Sequence, residues 1–238
     1  MSEPRYPNCL NQKSKPSNFC PGCGYGIILK ALGQVIDEME IAPRTVMAVD
    51  IGCNLLAWDY YKLDTIQTHH GRVTPLTVGY KRAKKDSVMI GIAGDGGLYA
   101  IGLQGFLHAA HRDDAVTIIG VNNTIYAMTG GQLAPTSLPY QVTDSSPDGK
   151  FTYDKPVFGP ELTKDWANSQ AYLARASVLN VPQLKAMLKK AIERQISGHF
   201  SFIEVLSFCP TNWKTDAKET IEMTENLEKI FKIGVINE

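Results

Sequence analysis

Residues 87–97 read SVMIGIAGDGG, an apolar run that ends in a glycine-rich turn. A short apolar run bounded by such a turn is typical of a strand buried on both faces of a parallel sheet. Residues 98–112 follow with the apolar spacing of a helix, and residues 115–121 form another apolar run that ends in Asn122-Asn123. The interval therefore has the length of a strand–helix–strand crossover.

The same alternation continues on both sides of this unit. Helices are predicted at residues 25–39 and 181–196, and strands at residues 46–51, 171–177 and 200–206. This order predicts an α/β fold with a mostly parallel sheet, helices on both faces, and ligands at the carboxyl ends of the strands. We expect one domain over residues 1–238, with a polar arm at 1–19 that has little to bury and a long loop at 132–162.

Composition narrows the class of partner and compartment. The chain has 24 Lys plus Arg against 24 Asp plus Glu, so no net field draws it to nucleic acid or to an anionic membrane. The sequence has no secretory signal and no run of about eighteen apolar residues, and we expect a cytoplasmic protein. Thiols stay reduced there, so the five cysteines are expected to be metal ligands or core residues.

Oxygen ligands follow two neighbouring predicted strands. Asp95 lies in the turn after one strand and Asn123 ends the next, so both face the same edge of the sheet. With a backbone carbonyl near Ile125 they offer Mg²⁺ three hard oxygen ligands, and Thr129 begins a short Thr-Gly-Gly segment that adds donors. This Gly-Asp-Gly and Asn-Asn pairing resembles the thiamine diphosphate fingerprint. The alternatives are an ordinary glycine turn plus an asparagine turn, or a NAD-type loop, which the amides after the second strand disfavour.

Four of the five cysteines occupy positions that could converge: Cys20, Cys23, Cys53 and Cys209. Four thiolates can hold a 4Fe–4S cluster, and a proline after a cysteine, as in Cys209-Pro210, also occurs in ferredoxins. A zinc ion is the competing occupant, although structural zinc sites favour two close pairs. Buried free thiols are the third interpretation. The remaining Cys9 is expected to be inert.

These motifs together resemble the β subunit of the 2-oxoacid:ferredoxin oxidoreductases. The matching stretches are FCPGCG at 19–24, Gly52-Cys53, HGR at 70–72, GDG at 94–96, NNTIYAMTGGQLAPT at 122–136 and CPTNW at 209–213. Residues 129–132 and 209–213 look most like the 2-oxoisovalerate type. Many relatives have Asp where Gly97 stands and Ser where Asn54 stands, which puts side-chain contacts at those two positions in question.

The resemblance implies three cofactor sites and their residues. Cys20, Cys23, Cys53 and Cys209 would hold a 4Fe–4S cluster, and Asp95, Asn123 and the carbonyl of Ile125 would hold Mg²⁺. His70 is expected to be catalytic, although it could equally be a satisfied core residue. The residues expected to line thiamine diphosphate are Ile51, Gly52, Cys53, Asn54, His70, Gly96, Gly97, Ala127, Met128 and Thr129.

The implied reaction is the oxidative decarboxylation of a 2-oxoacid with coenzyme A to acyl-CoA and CO₂, with electrons passed to ferredoxin. The implied partners are an α subunit that supplies the activating glutamate, a γ subunit and a ferredoxin-like δ subunit, so the chain is expected to be inactive alone. A branched substrate is expected because the apolar residues Leu55, Leu56, Ala57, Trp58 and Met128 would lie nearest the reacting centre. The alternatives are 2-oxoglutarate or pyruvate as substrate, a non-redox thiamine enzyme, and a zinc-binding scaffold.

Overall fold

The fold is taken from a computed structural model that describes residues 6–11, 13, 17–150 and 153–238. Parts of the predicted arm and of the predicted loop, at residues 1–5, 12, 14–16 and 151–152, lie outside the described residues. The strands are β1 (Thr45–Val49), β2 (Asp64–Gln67), β3 (Val88–Gly94), β4 (Thr117–Asn122), β5 (Ile125–Tyr126), β6 (Gln132–Leu133), β7 (Tyr172–Ser177), β8 (Ser201–Leu206) and β9 (Gly234–Asn237). The helices are α1 (Tyr25–Glu38), α2 (Val73–Ala83), α3 (Leu103–His111), α4 (Gly159–Lys164), α5 (Val181–Ile196), α6 (Pro210–Trp213) and α7 (Ala217–Ile230).

One large sheet organises the chain. Its strand order is β2-β1-β3-β4-β8-β7-β9, and every neighbouring pair is parallel except β7 with β9. Alternate residues of β1 show that both faces are covered. Met47 and Val49 belong to the core that α1 and α5 close, whereas Val46 and Ala48 belong to the core of α2 and α3. Burial on both faces explains why β1 and β3 are almost entirely apolar.

The structure corrects several expectations. The single helix predicted at 98–112 begins instead with a wide turn over Gly97–Ile101, where the Gly102 amide donates to the Gly97 carbonyl at 2.8 Å, and α3 follows. The arm at 1–19 was expected to have little to bury, but Cys9 and Leu10 are 5% and 0% exposed and pack on α1. Two residues of the loop at 132–162 form β6, and its last residues start α4.

The side chain of Cys9 is buried from solvent. Its Sγ donates to the Gly33 carbonyl at 3.3 Å, and burial, with Asp37 nearby, raises the pKa of the thiol to about 12. The Cys9 thiol therefore lies in the core with its hydrogen bond already made. Within the described residues, no helix is both long enough and apolar enough to pass through a bilayer.

A buried ion network joins distant parts of the chain beneath the sheet's carboxyl edge. Arg175 on β7 is fully buried and donates through Nε to Glu204 on β8 and through Nη2 to Glu161 on α4 at 2.6 Å. Tyr99, in the wide turn after Gly97, donates to the other oxygen of Glu204 at 2.6 Å. The network therefore fixes that turn against β8 and against the end of the long loop.

Replacing Arg175 with Met should lower the free energy of unfolding by roughly 3–5 kcal/mol, because Glu204 would remain buried without its counter-charge. Arg112→Met is the matched control, since the Arg112–Asp114 pair has an arginine side chain that is 45% exposed. An exposed pair of this kind contributes about 0–1 kcal/mol. Urea unfolding of both variants measures the two losses, and equal losses would contradict a structural role for the network.

Candidate functional site

A cleft opens at the carboxyl ends of β1, β3 and β4. The turn after β1, the glycine turn after β3 and the segment around β5 form its walls. All ten residues expected beside thiamine diphosphate line this cleft, as do Asp95, Asn123 and Ile125. Tyr25, Gly94, Val121 and Tyr126 complete the lining. Parallel strands bring these sequence-distant turns to one edge, which is where α/β sheets bind ligands.

Asp95 is the acidic group of the cleft. It follows β3 and is 3% exposed, and its two oxygens accept from the Gly96 amide at 2.8 Å and from the Thr136 hydroxyl at 2.5 Å. Burial raises the pKa of the carboxyl to about 7, although these hydrogen bonds lower it. A buried carboxylate is costly without a counter-charge, so this position suits a bound cation.

Asn123 lines the same cleft as Asp95, and a residue near the C-terminal end of the chain holds its backbone. The Trp213 indole donates to the Asn123 carbonyl at 3.0 Å, and the Asn123 side-chain oxygen accepts from the Ile125 amide at 3.4 Å. Asp95, Asn123 and the Ile125 carbonyl are hard oxygen donors, which is the chemistry that Mg²⁺ requires. The donor set of the cleft therefore fits the magnesium ion that the family resemblance implies.

The last two glycines of the turn after β3, Gly96 and Gly97, have no room for a side chain. A Cβ on Gly96 would lie 2.1 Å from the ring of Tyr126, whose hydroxyl donates to the Gly96 carbonyl at 3.3 Å. Gly52 has φ of +118°, a conformation that favours glycine. Both glycines let backbone approach a bound ligand closely, as a diphosphate cradle requires.

The His70 ring lines the same cleft and packs edge-on against Tyr126, with ring centroids 6.5 Å apart. Its Nδ1 lies 3.6 Å from Oδ2 of Asp50, a fully buried carboxyl that follows β1. Burial raises the pKa of Asp50, while the Gly71 amide and His70 lower it. The histidine is thus part of a polar pair rather than a core residue with all its hydrogen bonds made.

Four cysteines gather next to this cleft. Cys20 and Cys23 precede α1, Cys53 follows β1, and Cys209 begins α6. Burial, and after it the charges of Cys23, Cys209, Cys20 and Asp95, raise the pKa of Cys53 to about 12. Burial also raises the pKa of Cys23, to about 11, and that of Cys209. Within the described residues no three His, Cys, Asp or Glu side chains are grouped tightly enough for one metal ion.

Two side chains connect the cysteines with the cleft. The Asn212 amide donates to the Ala127 carbonyl at 2.8 Å and lies 3.5 Å from Sγ of Cys209. Tyr25 donates to the Asn54 side chain. The pKa of Tyr25 is raised by its burial and then by Cys53, Cys23 and Asp95, so Tyr25 lies between both groups. Cys53 itself lines the cleft.

Sequence reasoning missed Tyr25, Asp50, Tyr126, Thr136 and Asn212 as site residues. Asp50 had a readable signal, since it is a charged residue at the end of an apolar run, directly before Ile51-Gly52-Cys53. Thr136 and Asn212 lie inside quoted motifs but carry no chemical signature of their own. Their contacts appear only when β3, β4 and α6 are placed side by side.

Comparisons with known proteins identify the family. Residues 50–205 match the thiamine pyrophosphate enzyme, C-terminal TPP binding domain. Subunit KorB of the 2-oxoglutarate synthase of Methanocaldococcus jannaschii is 37% identical over 85% of this chain and 73% of its own length. The 2-oxoacid:ferredoxin oxidoreductase subunit beta of Saccharolobus solfataricus is 32% identical over 85% of this chain and 65% of its own length. The chain belongs to the β subunits of the 2-oxoacid:ferredoxin oxidoreductases.

The β subunit is also similar to the ketoisovalerate oxidoreductase subunit VorA of Methanothermobacter thermautotrophicus, with 37% identity over 91% of this chain. It spans about half of that relative's length, 47%. A solved 2-oxoglutarate:ferredoxin oxidoreductase from Magnetococcus marinus superposes with a TM-score of 0.81 at 23% identity, over 95% of this chain and 74% of that chain. The predicted α/β, thiamine diphosphate-binding fold is therefore confirmed.

Proposed function

We propose that this β subunit holds thiamine diphosphate and Mg²⁺ in the cleft and a 4Fe–4S cluster at its four thiols, within a 2-oxoacid:ferredoxin oxidoreductase. The observation that carries the proposal is the position of Cys53. This thiol lines the cofactor cleft, and its pKa is raised, after burial, by the three other cysteines. A redox centre and a thiamine cofactor would therefore share one residue at their boundary.

The donor sets support both inorganic groups. Asp95, Asn123 and the Ile125 carbonyl would hold Mg²⁺, and the glycine turn at residues 94–97 would receive the diphosphate. Cys20, Cys23, Cys53 and Cys209 would each bind one iron of a cluster, so these thiols need not meet at a single ion. A structural zinc ion would instead need all four thiolates about 2.3 Å from one centre. Thiamine diphosphate, when bound, supplies the carbanion chemistry that decarboxylates a 2-oxoacid.

The chain's own residues would bind and orient the cofactor rather than complete the reaction. Burial of Asp95, Asn123 and Tyr25 keeps bulk water from the metal side of the cleft. His70 reaches the cleft and could exchange a proton with a bound group. The family resemblance assigns the activating glutamate to an α subunit. We propose that the working enzyme contains that subunit with γ and ferredoxin-like δ subunits, acts with coenzyme A, and delivers electrons to ferredoxin.

A branched 2-oxoacid is the proposed substrate, although fewer of the expected apolar residues line the cleft than the sequence suggested. Of the five apolar residues expected near the reacting centre, Met128 lines the cleft. Ala57 is buried in the core with Leu56 packed against it, and Trp58 is 55% exposed. None of residues 55–58 is among the described lining residues. Arg72, a nearby cation, donates to the carbonyls of Gly71 and Ile101.

Turnover of a panel of 2-oxoacids by the co-purified complex, with coenzyme A and a viologen dye, tests this proposal. We expect kcat/KM for 2-oxoisovalerate to exceed that for 2-oxoglutarate by at least about tenfold, because burying an unpaired carboxylate costs several kcal/mol. Identity does not decide the substrate, since the VorA and KorB relatives are each 37% identical to this chain. A preference for 2-oxoglutarate would mean that a partner subunit supplies the cation.

A non-redox thiamine decarboxylase or synthase is the second candidate, because the cleft alone would serve either enzyme. It predicts turnover without coenzyme A or an electron acceptor. The gathering of four thiols beside the cleft favours the redox enzyme.

A further inference from the structure

Asp50 is a buried carboxyl that the proposed cofactor sites do not use. It is 0% exposed, and its Oδ1 accepts from the Gly71 amide at 2.9 Å. Its Oδ2 and Nδ1 of His70 are both buried, and neither has a hydrogen-bond partner in the part of the chain that the structure describes. The two atoms lie 3.6 Å apart. Each is thus the nearest available partner for the other.

Gly97 provides the space for this pair. A Cβ built on Gly97 would lie 2.1 Å from Oδ2 of Asp50 and 3.3 Å from Cε1 of His70. A side chain at 97 and the carboxylate of Asp50 are therefore mutually exclusive. The carboxylate that occupies this space belongs to Asp50, which follows β1.

We propose that Asp50 is a positioning residue that holds the His70 ring toward the cofactor cleft, in place of a side chain at 97. The inference rests on the proposed function, because it assumes that the cleft binds the cofactor beside His70. A carboxylate opposite Nδ1 keeps the proton on that nitrogen and leaves the Nε2 lone pair free for the cleft. Tyr126 packs against the ring edge-on, so the ring is held from two directions.

A purely structural role for Asp50 makes a different prediction. If the carboxyl only accepted the Gly71 amide, asparagine would replace it without loss, since its side-chain oxygen can accept the same hydrogen bond. The asparagine NH₂ would, however, face Nδ1 of His70 as a donor. It would move the ring proton to Nε2, the nitrogen that the cleft needs free.

Two readouts test the inference, one of them independent of turnover. In the full chain labelled with ¹⁵N-histidine, with the His70 signal identified by its absence in His70→Gln, we expect the Nδ1–H tautomer in wild type and its loss in Asp50→Asn. In the co-purified complex, Asp50→Asn should reduce kcat roughly 10- to 100-fold, as removal of a histidine's supporting carboxylate does. KM for the 2-oxoacid should change by less than about threefold, since binding contacts remain.

Charge relocation provides the decisive control. Gly97→Asp alone should impair the enzyme, because two carboxylates would compete for one space, whereas Asp50→Ala/Gly97→Asp should recover most of the kcat that Asp50→Ala loses. Wild-type tautomer and kcat in Asp50→Asn, or no recovery in the folded double variant, would overturn the inference. If the wild-type complex shows no thiamine-dependent turnover, the proposed function fails, but the His70 tautomer in Asp50→Asn still decides the role of Asp50.

Discussion

Cys53→Ala should leave the β subunit without a complete iron–sulfur cluster. The wild-type chain, isolated without oxygen, is expected to hold about four irons and to be brown, because four cysteine thiolates suit a 4Fe–4S cluster. Cys53 is half-buried, and its surroundings raise the pKa of its thiol to about 12, so iron must displace a proton to bind it. Loss of this ligand opens one corner of the cluster to solvent and oxygen. Iron and acid-labile sulfide content, with the visible spectrum, measure the result.

Cys9→Ala is the matched control for this experiment. Cys9 is as deeply buried as any ligand cysteine, yet its Sγ donates to the Gly33 carbonyl and it lies in the core beside α1. The variant should keep the iron content and colour of wild type. Zinc in place of iron in the wild-type chain would refute the cluster, and equal iron loss in both variants would show that loss of fold, not loss of a ligand, removes it.

Asp95→Ala is expected to lower the Mg²⁺-dependent affinity for thiamine diphosphate by at least roughly 100-fold, since Mg²⁺ depends on hard oxygen donors and a carboxylate is the strongest of them. Asp95 is the only acidic side chain among the described residues that line the cleft. Calorimetric titration of the cofactor, with and without Mg²⁺, measures the effect.

Two comparisons separate this effect from a general loss of structure. Asp95→Ala should retain the iron content of wild type, because Asp95 and the four cysteines are different ligands for different groups. Asp86→Ala, at the opposite edge of the sheet beside Lys85 and Ser87, should bind the cofactor normally. Wild-type affinity in Asp95→Ala would show that the glycine turn does not hold the metal.

The central strands were predictable because they are buried on both faces. β3 and β4 lie in the middle of a parallel sheet, so each is a largely apolar run in the sequence, and β8 beside them is interrupted only by the paired Glu204 and its first residue, Ser201. The edge strand β2, with the sequence DTIQ, lacks that signal because its residues are exposed or half-buried. Helix α2 contains Pro75 and Gly79, which weaken the helical signal in its sequence. Helix α7 was missed, although Asp216 and Glu219 form a readable capping box at its start.

The site was predictable where its chemistry is written in residue types. Cysteines, the Gly-Asp-Gly turn and the paired asparagines have ligand-binding chemistry that is readable in the sequence, and the structure brings Cys53, that turn and Asn123 to one cleft. Asp50 and Tyr126 could not be assigned in the same way, because their roles depend on contacts with Gly97 and Gly96 that only the structure shows. The contact between Asp50 and the space beside Gly97 could not be read from the sequence, since the two residues are far apart in the chain.

The contacts of α6 limit how segments can be exchanged between these β subunits. Asn212 and Trp213 donate to the carbonyls of Ala127 and Asn123, so the segment that follows Cys209 supports the backbone of a loop that lines the cleft. If residues 122–136 were replaced by those of a relative to change substrate preference, Asn212 and Trp213 would no longer match the loop that they support. Residues 122–136 and the segment of α6 should therefore be exchanged together, and a library of chimaeras should vary them as one block.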